Sequence, residues 1–476
     1  MPATHRLCLF TLVALLGAPL ALAQTTLVFG GGEGRAATAT QCLTQADRAA
    51  IEARLTASSA ALRAAGRLSS VRSGGVTLTL PVQADPSVET NGFYGISNFV
   101  DQNAAAPGRI QDFNCGARTY DTPSGYNHQG IDYFSFPYGW TLMDEDKVNV
   151  VAAAAGTIIG KDDGNQDRSC SFNGSAWNAV YVEHDDGSVA WYGHLKRNAL
   201  TPKGVGERVE AGEFLGVMGS SGNSTSPHLH IELYDADGNL VEPNAGPCNG
   251  LNAASWWAEQ RLYYEPQIAA LMSHATPPDA FPACPTTTDD PARQDRFDDG
   301  DRVFLAAYFR DQLDTAVTDF TLLDPSGAEA STWNFRSNAP HYAAAYWYWT
   351  FDITPAWTRG TWTWRVEHEG EIAEHQFEVG VVVSTEEEIV ASAVLSQAFP
   401  NPTVATAQWT LRLGAPQQVR AVLFDVLGRR IATVHEGTLA AGTSTLQAAE
   451  ALPPGAYVLQ VTGDTFAATR QLTVLR

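Results

Sequence analysis

Basic residues are scarce in this chain. Its 476 residues include 30 Lys and Arg against 52 Asp and Glu, a formal net charge of −22. A surface of that average sign repels nucleic acid, anionic lipid headgroups and anionic wall polymers, so none is expected as a partner drawn in by long-range attraction. Charge of either sign is sparse, at 17% of residues. There is no Cys-x-x-Cys pair, so the cysteines point to no thiolate zinc site. Past the N-terminus no apolar run approaches the ~20 residues needed to span a bilayer, and no transmembrane segment is expected in the mature chain. What is abundant is tryptophan (12), tyrosine (15) and glycine (41), within 44% hydrophobic residues. That mixture suits β-rich folds better than helical bundles. At ~150 residues per domain the length predicts about three domains.

The N-terminus speaks for the compartment. His5-Arg6 precedes an apolar run from Leu7 to Leu20, and Ala21-Leu22-Ala23 stands before Gln24. A basic start, an apolar stretch and a small-residue cleavage site predict a signal peptide over 1–23, hence export. Its removal takes Cys8 and leaves Cys42, Cys115, Cys170, Cys248 and Cys284. In an oxidising compartment these predict two disulfides and one free thiol, with the pairing left open.

Residues 24–90 contain one amphipathic helix between Thr44 and Leu68. Ile51, Leu55 and Leu62 mark its apolar face, Thr44 its N-cap and Gly66 its stop. It is either part of a pro-segment or a packing helix on the next domain. Val76 to Leu80 alternates like a strand. Over 91–264 the texture becomes short β-like runs between Gly and Asp turns: Val148–Ala155, Ala179–His184, Val189–His194 and Phe214–Met218. Asp185-Asp186-Gly187 reads as a hairpin turn, and the sheet is expected to be mainly antiparallel. A Pro-rich stretch, 265–295, reads as a linker. Residues 296–383 alternate as an immunoglobulin-like β-sandwich, with Trp347, Trp349, Trp362 and Trp364 read as core rather than as a carbohydrate platform. An acidic linker (384–394) and a small C-terminal β-domain (395–476) complete the chain.

The chemistry centres on Ser226-Pro227-His228-Leu229-His230-Ile231-Glu232-Leu233-Tyr234. Read as a strand, it places His228, His230 and Glu232 on one face and Leu229, Ile231 and Leu233 on the other. Two imidazoles side by side can serve one metal, or one metal and one proton transfer; the plainer alternative is a sheet carrying two half-exposed histidines. Asn127-His128-Gln129-Gly130-Ile131-Asp132 adds an imidazole and a carboxylate, with a glycine that permits close approach. Tyr192-Gly193-His194-Leu195 adds another imidazole at the end of a strand. Four histidines and one aspartate from three segments match a catalytic zinc site: three N or O ligands, an open fourth position for water, and neighbouring imidazoles for proton transfer or oxyanion stabilisation.

These motifs, with Val151-Ala152-Ala153-Ala154-Ala155-Gly156, Gly206-Glu207-Arg208-Val209-Glu210-Ala211-Gly212 and Gly216-Val217-Met218-Gly219-Ser220-Ser221-Gly222 between them, resemble the lysostaphin-type zinc endopeptidases over about residues 125–245. The resemblance implies an antiparallel sheet with its site in a groove. It implies His128, Asp132 and His230 as zinc ligands and His194 and His228 as catalytic histidines. Ser226 and Ile231 depart from the family's usual Gly and Phe, and 162–177 is a long insertion expected at the groove rim. Tyr192 stands where it serves either the oxyanion or packing, and His184 is read as structural. Implied substrates are peptide cross-links of peptidoglycan, often at glycine, or glycine-rich extracellular protein.

A second resemblance lies at the C-terminus. Phe399-Pro400-Asn401-Pro402, Val422-Leu423-Phe424-Asp425-Val426-Leu427-Gly428-Arg429-Arg430 and Leu452-Pro453-Pro454-Gly455-Ala456-Tyr457-Val458-Leu459 are similar to the sorting domain of type IX secretion. It implies that machinery as a partner and a secreted or cell-surface product. The competing expectation is a catalytically silent surface adhesion protein built on a relic peptidase fold.

Overall fold

The alternating runs of the sequence become strands wherever a second element can cover one of their faces. The computed structural model describes residues 29–33, 42–68, 74–103, 108–122, 125–380, 393–396, 398, 401, 403, 407–425, 429–448, 452–464 and 466–475. Residues 1–23, expected as a signal peptide, lie outside them, as do Phe399, Pro400, Pro402, 426–428 and most of the stretch expected as an acidic linker. The described chain is mainly β, with 28 strands and two helices. It divides into two units, 1–380 and 381–476.

In the first unit an antiparallel sheet runs in the order Arg208–Val209, Gly156–Asp162, Ala179–His184, Val189–Gly193, His228–Tyr234, Ile131–Ser135, Tyr94–Asn98, with Leu240–Val241 paired to His228–Tyr234. A second sheet is formed by Val82–Ala84, Val148–Val151, Phe214–Met218 and Leu195–Leu200. Leu229, Ile231 and Leu233 enter the core between the sheets with Val148, Val150 and Leu215. Each such side chain is worth about 1.5–3 kcal/mol buried, so a one-residue slip that turned all three outward would cost several kcal/mol. This locks His230 opposite Asp132 on one side and Gly193 on the other.

The opposite face of the large sheet is covered by helix α1 (Gln45–Ala64). The Thr44 hydroxyl accepts from Asp47 N, and Gly66, at φ +68°, takes the left-handed turn that ends the helix. Leu55 and Leu62 pack on Ile159, Tyr181 and Trp191. The stripe expected along this helix is therefore a packing face. Val76–Leu80 is not a strand: Leu78 forms a single bridge to Trp257 and is buried there. Its backbone bonds are split between Trp256 and Ala258 on one side and Ala153 on the other, so no continuous ladder forms.

The Pro-rich stretch expected as a linker is partly structural. Gln267–His274 is a strand paired with Arg302–Leu313, in a sheet that His341–Asp352 and the N-terminal strand Phe29–Glu33 complete. A five-stranded sheet (Arg296–Phe297, Glu371–Val379, Gly360–His368, Thr318–Leu323, Glu329–Phe335) packs on it. Trp349, Trp362 and Trp364 are buried between the two. Phe136 and Tyr138 from the first part share a smaller core with Ala269, Ala270 and Tyr308, and the Tyr138 and Tyr308 hydroxyls are 2.7 Å apart. Disulfides join Cys115 to Cys248 and Cys170 to Cys284, leaving Cys42 free and buried. The second unit is a pair of small antiparallel sheets around Trp409, Leu423 and Leu459.

Candidate metal centre

The structure brings His128, Asp132, His194, His228 and His230 together. His230 projects from mid-strand and Asp132 from the neighbouring strand in direct register. His128 precedes Asp132 by four residues, across Gly130. A Cβ on Gly130 would lie 2.6 Å from the Ile231 carbonyl and 2.7 Å from the His230 ring, so only glycine lets the two segments approach. His194 follows the Val189–Gly193 strand, where the chain leaves the large sheet for the second one. Its φ of +62°, sparsely populated for a non-glycine residue, turns the imidazole into the cluster.

The hydrogen bonds fix the ring orientations. A carbonyl only accepts, so His128 Nδ1 donates to the Phe99 carbonyl (2.8 Å) and turns Nε2 toward the cluster. His194 Nδ1 donates to the Ser221 carbonyl (2.6 Å), and His228 Nδ1 to the Ser226 carbonyl (2.8 Å). His230 is reversed: Nε2 donates to Glu232 Oε1 at 2.8 Å and Nδ1 faces the cluster. His230 Nδ1 is 2.7 Å from Asp132 Oδ1 and 3.2 Å from His128 Nε2, which is 3.1 Å from Asp132 Oδ2. A tetrahedral zinc with bonds of about 2.0–2.2 Å sets its ligands about 3.3–3.6 Å apart. The observed triangle is slightly smaller, so side-chain adjustments of a few tenths of an ångström admit the ion. Two imidazoles and a carboxylate with an open position fit the donor set of a catalytic zinc site.

Charge pairing dominates the cluster. Burial would lower the His230 pKa, but Cys42, Asp132 and Glu232 outweigh it and hold the imidazole well above its ordinary value, so a metal would have to displace a proton there. Burial alone would raise the Asp132 pKa, but His128 and His230 outweigh it and hold the carboxyl well below its usual range. Burial, then the neighbouring His228 and His230, pushes His194 well below the ordinary imidazole value. Burial also lowers His228, against the opposing pull of Asp132. Both are thus neutral near pH 7, with Nε2 able to take a proton.

Three contributors escaped the sequence reading. Asn98 Nδ2 donates to Asp132 Oδ2 (2.9 Å). Glu232, fully buried, orients His230 and is held in turn by Arg48 of α1 and by the Tyr234 hydroxyl (2.6 Å). Cys42 stands beside the cluster. Only Glu232 left a signal, its place two residues after His230 on the same strand face. Tyr192 is in the core, its hydroxyl accepting from Ala153 N at 2.8 Å. His184 donates to Ser188 Oγ (2.9 Å) in its hairpin, away from the cluster.

A groove of about 640 Å³ opens on Asp132 and His228, with Trp140, Phe172 and Phe281 among its walls. Phe172 comes from the 162–177 insertion, which therefore forms rim as expected. Phe281 comes from the stretch read as linker, and the Cys170–Cys284 disulfide ties the two. Ser226 also lines the groove.

Residues 127–243 match the model of Peptidase family M23, so this part of the chain is an M23 peptidase domain. The peptidoglycan DD-endopeptidase ShyC of Vibrio cholerae is 34% identical over 106 residues, 22% of this chain and 20% of that protein. The glycyl-glycine endopeptidase ALE-1 of Staphylococcus capitis is 33% identical over 109 residues, 23% of this chain and 25% of that protein. The chain thus spans a quarter or less of either relative. A solved M23 peptidase from Pseudomonas aeruginosa is 23% identical at a TM-score of 0.23, covering 47% of this chain and 73% of that one.

Proposed function

We propose that this protein is an exported zinc endopeptidase that hydrolyses peptide bonds in peptidoglycan cross-links or in glycine-rich peptides. The observation that carries the reading is the convergence of His128 Nε2, Asp132 and His230 Nδ1 on one point, beside two more imidazoles whose Nδ1 atoms are committed to carbonyls. His128, Asp132 and His230 are the residues that would hold zinc. When bound there, zinc lowers the pKa of a coordinated water to ~7 and polarises the scissile carbonyl. The chain does the rest. Glu232 and the Phe99 carbonyl keep His230 and His128 turned inward. His194 and His228, neutral and bare at Nε2, accept the nucleophile's proton and return one to the leaving amine. The walls of the groove hold an extended peptide against them and exclude water.

The two M23 relatives named for peptidoglycan and glycyl-glycine cleavage support the substrate class. Export by type IX secretion rests on the C-terminal motifs, of which Gly455-Ala456-Tyr457-Val458-Leu459 lies in the strand Gly455–Gly463 of the second unit. Zinc content and peptide release from purified peptidoglycan and a glycine-rich protein, compared between wild type and His228→Ala, test the reading. One zinc per chain in both is expected, with release by the variant lower by about 10²–10⁴-fold. Zinc in both and release from neither is the signature of a latent state. No zinc and no release would overturn the enzyme and leave a binding protein on a relic fold.

A further inference from the structure

Cys42 is the one cysteine among the described residues outside the two disulfides. It is 5% exposed and stands two residues before the N-cap of α1. Its Sγ and a ring nitrogen each of His194 and His230 lie within 4.8 Å of one another. A buried thiol alone proves nothing, but His194 supplies a second observation. That side chain is fully buried, its Nδ1 is committed to Ser221, and its Nε2 has no hydrogen-bond partner among the described residues. An orphaned buried nitrogen beside a thiol is an arrangement short of something to bind.

We propose that Cys42 is a removable fourth ligand. Its sulfur closes the coordination position that a catalytic zinc site leaves open, and residues 42–68 thereby hold the peptidase latent. This rests on the zinc reading above. With zinc held there, the Cys42 sulfur would take the place of the coordinated water as its thiol gave a proton to solvent, and release would return a proton to the sulfur and a water to the ion.

The segment carrying Cys42 is built as a strap. Helix α1 lies on the sheet face from which His230 and Glu232 project, with Leu55 and Leu62 buried against it. Arg48 pairs with Glu232 and Arg63 with Glu183, which also accepts from Ser59 Oγ at 2.7 Å. Cys42 itself lines the groove, so peptide and strap compete for one place. The plainer account makes Cys42 a filler beside Tyr120, whose hydroxyl is 3.0 Å from the sulfur, and it predicts no contact with a metal.

Cobalt replacement in the full chain separates the two. We expect one cobalt per chain in wild type and Cys42→Ala, with a thiolate-to-cobalt charge-transfer band in wild type only. Alkylation of Cys42 by iodoacetamide in wild type should be at least about tenfold slower with cobalt than after stripping, one decade in the closed-to-open equilibrium. That comparison needs no variant to fold. Peptide release should rise in Cys42→Ala. Cobalt bound without the band, with equal alkylation in both states, overturns the latch and leaves the zinc reading standing. No cobalt bound overturns both.

Discussion

Glu232→Gln separates what this carboxylate does for the fold from what it does for the metal. The side chain is fully buried, accepts from His230 Nε2 at 2.8 Å, and faces the Arg48 guanidinium, itself 12% exposed. The amide keeps the shape but removes the charge, stranding Arg48 beside a neutral group. Breaking a buried pair from one side costs about 3–5 kcal/mol, so the melting temperature of the metal-free protein should fall by several degrees. The carboxylate also raises the basicity of His230 and fixes its ring, and losing such a partner costs about 10–100-fold in metal affinity. Removing both charges in Arg48→Leu/Glu232→Leu should restore most of the stability, because no charge is left unpaired. It should not restore affinity, because the Nε2–H then has no acceptor. The assays are thermal melts of metal-stripped protein and zinc titration against a competing chelator. Affinities unchanged in both variants, with stability changed as expected, would refute the role given to Glu232.

Further predictions follow from burial and covalent structure. In the active form the acid limb of kcat/KM should lie below pH 6.5, because His194 and His228 both have pKa values lowered from the ordinary 6.5, and activity is lost only as falling pH protonates them. A limb at or above 6.5 contradicts this. Burial pushes His184 down to about 4 from 6.5, so the stability it contributes is full above 6.5 and is lost as pH falls toward 4, a loss of roughly 3 kcal/mol. Urea midpoints across that range should fall less steeply in His184→Gln, and an equal slope would sink the assignment. The Cys115–Cys248 bond closes a sequence separation of 133, for which chain entropy gives about 5 kcal/mol as an upper figure. Cys115→Ser/Cys248→Ser should lose up to that amount in denaturant melts under oxidising conditions, and no loss would locate the constraint elsewhere.

What could be read in advance depended on whether a residue's neighbours in space are also its neighbours in sequence. The alternation of His228, His230 and Glu232 against Leu229, Ile231 and Leu233 is a property of one strand, and the fold keeps it because the aliphatic face has a core to enter. The Thr44 cap and Gly66 stop were legible for the same reason. Asn98 was not, because its contact with Asp132 depends on a pairing between strands far apart in the chain. The strand Gln267–His274 was hidden by the prolines around it and by its dependence on Arg302–Leu313 as a partner. Trp140 N and Thr141 N donate to the Asp289 carboxylate, at 3.0 and 2.6 Å, and this helps set the groove wall in a stretch whose composition says only loop.

Cys42 is the sharpest case. The lack of any Cys-x-x-Cys pair speaks only against a zinc site built from cysteines alone. It is silent about a single sulfur delivered to histidines 152 and 188 positions away. Such a delivery requires a sheet whose two faces are both buried, one by aliphatic packing and one by a polar cluster. The polar face still needs a cover, because the carboxylates of Glu183 and Glu232 and the rings of Tyr181 and Trp191 would otherwise meet solvent. Helix α1 supplies that cover, with arginines for the carboxylates and leucines for the rings. Once the helix is fixed by those contacts, the position of Cys42, two residues before its N-cap, follows. The latch and the fold of the strap are then one set of interactions, so variants that loosen α1 should also weaken the contact of Cys42 with the metal.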